Sequence, residues 1–301
     1  SEDVDDAAAG VYAANGIKVC IFEEIRTTPE LSFAIRHLKA VAGAMFSASH
    51  NPPDHNGKKV YDEFGGQLIP PNDEILVNEV INNVNEIKVI SLEDAKNKGL
   101  LAYINPDVDA AFVSEVTNLS LSGERDIDVV FTPLHGCGSS SVFPALTKLG
   151  FATTQDPLTS NPSGKFENIT FNIPNPEVIQ SFDTSLKFAD QKNADLIISS
   201  DPDADRIGII VRHNQQWRFL NGNEIGSILA DYVIQRKAKL ISGKKTVIKT
   251  VVTTDLIKEI CEANNVEIIG DLLIGFKYIA DMMNNLEKSN EYDGFLMGCE
   301  E

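Results

Sequence analysis

Leu196-Ile197-Ile198-Ser199-Ser200 runs directly into Asp201-Pro202-Asp203-Ala204-Asp205-Arg206. The first five residues read as a short buried strand bounded by turn-formers. The next six place three carboxylates at alternate positions. A loop that curls can aim all three at one centre, and hard cations such as Mg²⁺ take oxygen ligands of that kind. Three like charges gathered without a metal are costly. A solvated acidic turn, or one carboxylate capping the next helix, is the plain alternative. A calcium loop is another, but the spacing lacks the Gly and the distal Glu of an EF-hand. Arg206 favours the first reading, because a fixed guanidinium beside a metal suits phosphate.

Outward from this stretch, short β-branched apolar runs alternate with amphipathic ones. Strands are predicted over residues 17–22, 42–46, 127–131, 196–199, 207–211, 246–248 and 267–269. Helices are predicted over 3–14, 29–37, 139–149, 176–190, 224–235 and 254–264. The alternation predicts an α/β fold of consecutive α/β domains, with mixed, largely parallel sheets sandwiched by helices. The polar stretch NLSLSGERDID at 118–128 and the turn Asn221-Gly222-Asn223 divide the chain into 1–117, 118–219 and 220–301. The chain opens inside a helical pattern with no strand before it, and it stops at Glu300-Glu301 just after an apolar run. A piece of a longer protein is therefore expected.

Of the 301 residues, 43% are hydrophobic and 23% charged, a globular composition. Lys plus Arg number 26 against 44 Asp plus Glu, a formal charge of −18. So acidic an average surface repels a nucleic-acid duplex or an anionic membrane, so neither is expected as a partner, although a local basic pocket stays open. Cys20, Cys137, Cys261 and Cys299 form no CxxC pair, which speaks against zinc sites and a disulfide framework. No run approaches the roughly 18 apolar residues of a membrane span. The acidic start Ser1-Glu2-Asp3-Val4-Asp5-Asp6 is unlike a secretory signal, and a cytoplasmic protein is expected.

A second stretch, Ser47-Ala48-Ser49-His50-Asn51-Pro52-Pro53, leaves the strand that ends at Phe46. Ser49 sits where a strand feeds a loop, the usual place for functional groups in α/β sheets. No GxSxG elbow is present, and neighbours on a chain rarely make a nucleophile–base hydrogen bond. Taken alone, the stretch reads as a turn with a capping Ser. The strand after Asn56-Gly57 begins Lys58-Lys59-Val60-Tyr61, and alternation allows only one of its two lysines to face Ser49.

Together these pieces resemble the α-D-phosphohexomutase superfamily of phosphoglucomutases and phosphomannomutases, over essentially the whole chain. SASHNP at 47–52 is similar to the phosphoserine loop TASHNP, and Asn56 to Lys59 continues it as NGxK. DPDADR at 201–206 is similar to the metal loop, GFKY at 275–278 to the GFKxI loop, and GCEE at 298–301 to the start of the sugar-specificity loop. FTPLHGCG at 131–138 and NGNEIG at 221–226 point to the branch of bacterial phosphoglucomutases and phosphopentomutase-like enzymes. The resemblance implies a phosphoserine-loop domain at 1–117, a metal-loop domain at 118–219 and a sugar-recognition domain at 220–301. Ser49 would be the phosphorylated serine and, through its phosphate, a fourth metal contact beside Asp201, Asp203 and Asp205. Lys59 would be the general acid or base, with Lys58 at a commonly aromatic position, and His50 would lie against the phosphoserine. Arg206, Gly275, Lys277 and Glu300 would contact substrate. Ser47 and Ile274 stand where Thr is usual. The family's TSGLRG-like loop, the serine after Glu301 and the fourth domain lie outside this stretch.

The implied reaction is reversible phosphoryl transfer between C1 and C6 of a hexose phosphate, glucose 1-phosphate to glucose 6-phosphate. It would use one Mg²⁺ and a hexose 1,6-bisphosphate as intermediate and activator, with a sugar phosphate as the partner. Mannose or pentose specificity, a metal-dependent phosphatase or kinase, and a non-catalytic sugar-phosphate-binding relative are the competing readings. A phosphatase of the aspartate-nucleophile type would carry an aspartate on its first strand rather than Ser49.

Overall fold

The computed structural model describes residues 2–301. The first part of the chain runs α1 (Glu2–Ala14), β1 (Val19–Ile21), α2 (Thr28–Leu38), β2 (Ala42–Phe46), β3 (Lys58–Asp62), α3 (Asn72–Asn83), α4 (Leu92–Asn97), β4 (Leu101–Tyr103) and α5 (Pro106–Asn118). β1 pairs in parallel with β4, and β2 pairs antiparallel with β3. The middle part contains β5 (Asp128–Thr132), α6 (Val142–Lys148), β6 (Ala152–Gln155), α7 (Asp183–Lys192), β7 (Leu196–Ser200), β8 (Ile207–His213) and β9 (Gln216–Leu220), in a sheet ordered β6-β5-β7-β8-β9. The last part contains α8 (Gly222–Lys237), β10 (Thr246–Thr250), α9 (Leu256–Ala263), β11 (Glu267–Leu272), α10 (Phe276–Lys288) and β12 (Phe295–Cys299), with a parallel sheet ordered β11-β10-β12. Five of the strand pairs are parallel and three antiparallel, so the sheets are mixed and largely parallel, as expected.

Central strands are apolar on both faces because helices cover both. In β10, Val247 packs with Ile234 of α8 and Ile257 of α9, while its neighbour Ile248 packs with Ile279 and Leu286 of α10. Each such side chain contributes about 1.5–3 kcal/mol on burial. In the middle sheet, Val130, Ile197 and Ile210 pack against Phe182 and Ala189. β7 is thereby held in the centre of the sheet, and the loop that leaves its C-terminal end is anchored on rigid backbone.

Three helix boundaries differ from the sequence reading. The helix expected over 176–190 starts only at Asp183, after a single 3₁₀ turn at Ile179–Phe182. The preceding chain is pressed onto β8: a Cβ added at Gly208 would lie 2.7 Å from the Pro176 carbonyl and 2.8 Å from the Phe182 ring. The helix expected over 139–149 is split at Ser141 into a 3₁₀ turn, Cys137–Ser140, and α6. The turn Asn221-Gly222-Asn223 is the start of α8, where Asn221 and Glu224 form a capping box.

The N-terminus of α2 carries an unusual buried group. Thr27 caps the helix by accepting the Glu30 N–H, and Pro29 occupies the first turn. Glu30 is 1% exposed, and neither of its carboxylate oxygens has a hydrogen-bond partner among the described residues. Burial, reinforced by the neighbouring Asp109 carboxylate, pushes its pKa up to about 8. Asp109 itself is held below its ordinary range: burial opposes this, but the Arg26 guanidinium, which donates at 2.8 Å, prevails. A raised carboxyl pKa stabilises the fold below its unfolded value of 4.5, and that contribution is lost as pH rises through about 8. Glu30→Gln, which cannot ionise, is therefore expected to melt on the order of 5 °C above the native chain at about pH 9, with the gap closing near about pH 5. Parallel melting curves for the two proteins at both pH values would refute this assignment.

Candidate active site

The loop 201–206 is the connection of the β7–β8 hairpin, closed by the pairing of Ser200 with Ile207. The Ala204 N–H donates to the Asp201 carbonyl, and Ala204 takes the left-handed conformation, φ 55°. The curl turns the three alternate carboxylates inward. One oxygen from each of Asp201, Asp203 and Asp205 lies within 4.8 Å of the others. Asp201 is fully buried, Asp203 nearly so, and Asp205 is exposed. The backbone N–H groups of Asp205 and Arg206 both donate to Asp201 Oδ1 at 3.1 Å. A neighbouring loop braces the curl from behind. Both the N–H and the thiol of Cys137 donate to the Pro202 carbonyl, and a Cβ on Gly136 would lie only 2.2 Å from the Pro202 Cα. Only glycine fits there.

Ser49 reaches this cluster from a different part of the chain. Its loop leaves β2, is tied to the start of β3 by the Ser47 N–H bonding to the Gly57 carbonyl, and turns through Ser49 at φ 52°. The Ser47 hydroxyl accepts the Ser49 N–H at 2.8 Å, so the serine in place of threonine keeps the hydrogen bond that shapes the turn. The Ser49 hydroxyl donates to Asp201 Oδ2 at 2.5 Å across 152 residues of sequence. His50 Nδ1 lies 3.1 Å from Ser49 Oγ, so the adjacent pair that the sequence reading set aside does make a hydrogen bond. With the hydroxyl proton given to Asp201, Nδ1 of His50 carries the hydrogen and donates. Burial, and then the Arg206 charge, holds the His50 pKa below its ordinary value, so the ring is neutral at neutral pH.

The strand pairing of Met45 with Lys59 and of Phe46 with Lys58 separates the two lysines onto opposite faces. Lys58 turns away to the Tyr12 hydroxyl at 2.8 Å. Lys59 enters the cluster and bonds Asp203 Oδ2 and Asp205 Oδ2, both at 2.9 Å. Burial works against its charge, but Asp203 and Asp205 outweigh it and hold the ammonium well above its ordinary pKa. A general base at neutral pH requires the opposite shift, so in this arrangement Lys59 is a charged counter-ion to the two carboxylates. For Asp203, burial is again outweighed, here by its link to Asp201 and by Lys59, and its pKa falls to about 2. Asp201 moves up to about 8, through burial first and then the charges of Asp203 and Asp205.

The other predicted residues are placed differently. Arg206 Nη1 pairs with Glu177 at 2.6 Å, a partner that no local pattern points to. Glu300 accepts the Gly275 N–H at 2.7 Å, joining two predicted substrate residues to each other. Lys277 pairs with Asp73 on α3 at 3.1 Å, away from the acidic cluster. Thr28, whose hydroxyl donates to Asp203 Oδ2, Cys137 and Glu177 carry no signal in the sequence, because each meets the site only through tertiary contacts that no spacing encodes.

The fold and this site define a class: an α/β protein that sets a serine against three clustered aspartates. The chain matches the family Phosphoglucomutase/phosphomannomutase through its alpha/beta/alpha domain I over residues 1–87, domain II over 110–215 and domain III over 221–301. It belongs to the phosphoglucomutase/phosphomannomutase family. A phosphoglucomutase of Staphylococcus saprophyticus is 38% identical over 289 residues, which cover 94% of this chain and 51% of that protein. The chain thus spans about half the length of the curated relatives it matches. Among solved structures, one from Thermus thermophilus superposes with a TM-score of 0.75 at 22% identity, covering 100% of this chain and 62% of that one. The open form of the phosphoglucomutase parafusin from Paramecium superposes with a TM-score of 0.66 at 17% identity, covering 91% of this chain and 52% of that one.

The residues fit a hard divalent cation. The donors are carboxylate oxygens, and Asp203 Oδ1 is buried without a hydrogen-bond partner among the described residues. An ion on Asp201 has to displace the proton that this carboxyl holds below about pH 8. Mn²⁺ affinity is therefore expected to fall about tenfold per pH unit as pH drops from 8, with about one proton released per ion. Calorimetric titration in two buffers of different ionisation enthalpy measures both quantities. Affinity that stays flat between about pH 6 and pH 8 would contradict the assignment.

Proposed function

We propose that this chain carries the phosphoserine loop and the metal loop of a phosphohexomutase. The reaction is reversible transfer of phosphate between the C1 and C6 oxygens of a hexose phosphate, glucose 1-phosphate to glucose 6-phosphate. The observation that carries the reading is the contact of the Ser49 hydroxyl with Asp201 inside the aspartate cluster, across 152 residues of sequence. The curated relatives named phosphoglucomutase support it. The division into a phosphoserine-loop unit at 1–117, a metal-loop unit at 118–219 and a sugar-recognition unit at 220–301 belongs to the same proposal.

Phosphorylated Ser49 brings about −1.5 to −2 charge at neutral pH. In the forward step its Oγ–P bond breaks and a P–O bond forms to a sugar hydroxyl, which gives up its proton while Ser49 Oγ gains one, giving a hexose 1,6-bisphosphate and free Ser49. After the bisphosphate turns over, its other sugar O–P bond breaks and that phosphate passes to Ser49 Oγ, which loses a proton as the freed sugar oxygen gains one. Asp201 holds the Ser49 oxygen in place through the hydrogen bond seen here. His50 donates to the same oxygen and stabilises it as it departs. Lys59 balances the carboxylates and is placed to return a proton. Asp201, Asp203 and Asp205, with the Ser49 phosphate, would hold Mg²⁺, which when bound neutralises charge on the transferring group. Arg206, freed from Glu177, would contact phosphate, while Gly275, Lys277 and Glu300 would orient the sugar. A sugar phosphate is the partner this site fits. Among the described residues no helix is long and apolar enough to cross a membrane.

The test uses the whole protein of which this stretch is part. Incubation with glucose 1,6-bisphosphate is expected to leave one phosphate on the peptide that contains Ser49, which excess glucose 1-phosphate then removes. Ser49→Ala is expected to lose both the label and the isomerisation, by at least about 10³-fold. Release of free phosphate without isomer would replace the mutase with a phosphatase. Separately, Asp203→Asn is expected to weaken Mg²⁺ dependence and activity by at least about 100-fold; normal turnover in that variant would remove Asp203 from the metal set.

A further inference from the structure

Thr28 opens α2 directly against the metal loop. Its N–H, one of the helix-terminal donors with no partner inside the helix, donates to the Asp203 carbonyl at 2.8 Å. Its hydroxyl donates to Asp203 Oδ2 at 3.1 Å in a buried contact between residues 175 apart in sequence. The same Oδ2 also takes the Lys59 ammonium, on the more open side. With Oδ2 engaged twice, the carboxylate plane is set, and Oδ1, buried and without a partner, is the oxygen left for another ligand. Lys59 is a long, flexible and partly exposed arm. Thr28 is β-branched with one side-chain torsion, on backbone fixed by the Thr27 cap and Pro29. The partial positive charge of the α2 N-terminus also faces the Asp203 carboxylate.

We infer that Thr28 is a positioning residue for metal binding: its hydroxyl holds Asp203 in the rotamer that presents Oδ1 to a divalent cation. The inference rests on the metal assignment above and deepens it. It also couples the seating of α2 on the metal loop to the affinity for the ion.

The experiment measures Mn²⁺ affinity, by electron paramagnetic resonance of the free ion, together with melting temperature, in the whole protein. The proteins are the native chain, Thr28→Val, which keeps the shape and loses the hydroxyl, and Thr28→Ser, which restores it. Loss of such an outer hydrogen bond costs about 10–100-fold in metal affinity. The expected result is a Kd raised about tenfold in Thr28→Val and within about twofold of native in Thr28→Ser. A purely structural role would lower the melting temperature of Thr28→Val and leave its Kd unchanged, and that result overturns the inference while the metal site stands. If Thr28→Val does not fold, Thr28→Ala is measured against the same two criteria. A native protein that binds no Mn²⁺ overturns the metal assignment and this inference together.

Discussion

Three carboxylates gathered in one loop, two of them buried, repel one another, and the rest of the site is arranged around that repulsion. Asp201 has given one oxygen to two backbone N–H groups and the other to the Ser49 hydroxyl. Asp203 has given one oxygen to Thr28 and Lys59. Every donor that approaches comes from outside the loop or from its own backbone, so the loop alone would not hold this shape. Removing positive charge from beside Asp203 costs more than a surface ion pair would, because that carboxylate is buried and screening there is weak.

The fold supplies these donors by ending several elements at one place. β7 lies in the middle of its sheet and delivers the carboxylates. The β2–β3 pair delivers Ser49 at the exit of one strand and Lys59 near the start of the next. The N-terminus of α2 arrives with the Thr28 N–H, which has no acceptor within the helix and donates to the Asp203 carbonyl. Left-handed backbone at Ser49 and Ala204, uncommon for residues with side chains, marks the two loops that must turn sharply to meet. Packing elsewhere over-determines them: Gly136 leaves no gap against Pro202, and Cys137 bonds the same residue twice.

The legible parts of the chain were those whose local chemistry leaves few choices. β5, β7 and β10 read correctly because both faces are covered and the apolar runs are continuous. The strand parity of Lys58 and Lys59 was also readable, since a period of two puts neighbours on opposite faces. Helix 176–190 read too long because Pro176 and Phe182 are needed against Gly208, a contact that no periodicity signals. α3 and β4 were not read at all. None of the α3 residues is buried, so its pattern carries no core-facing stripe. β4 is three residues long.

The strand–helix alternation, the acidic DxDxD loop and the serine at a strand exit were determined by sequence, because each follows from the residues within a few positions of one another. Which lysine carries a counter-charge to the aspartates, that Arg206 is paired with Glu177, and that Asp203 is gripped by Thr28 were decided by tertiary structure alone. Those contacts span from 29 to 175 positions along the chain. Their geometry exists only once separately folded layers meet, since a hydrogen bond needs its two atoms within about 3 Å and local pattern sets neither the distance nor the angle.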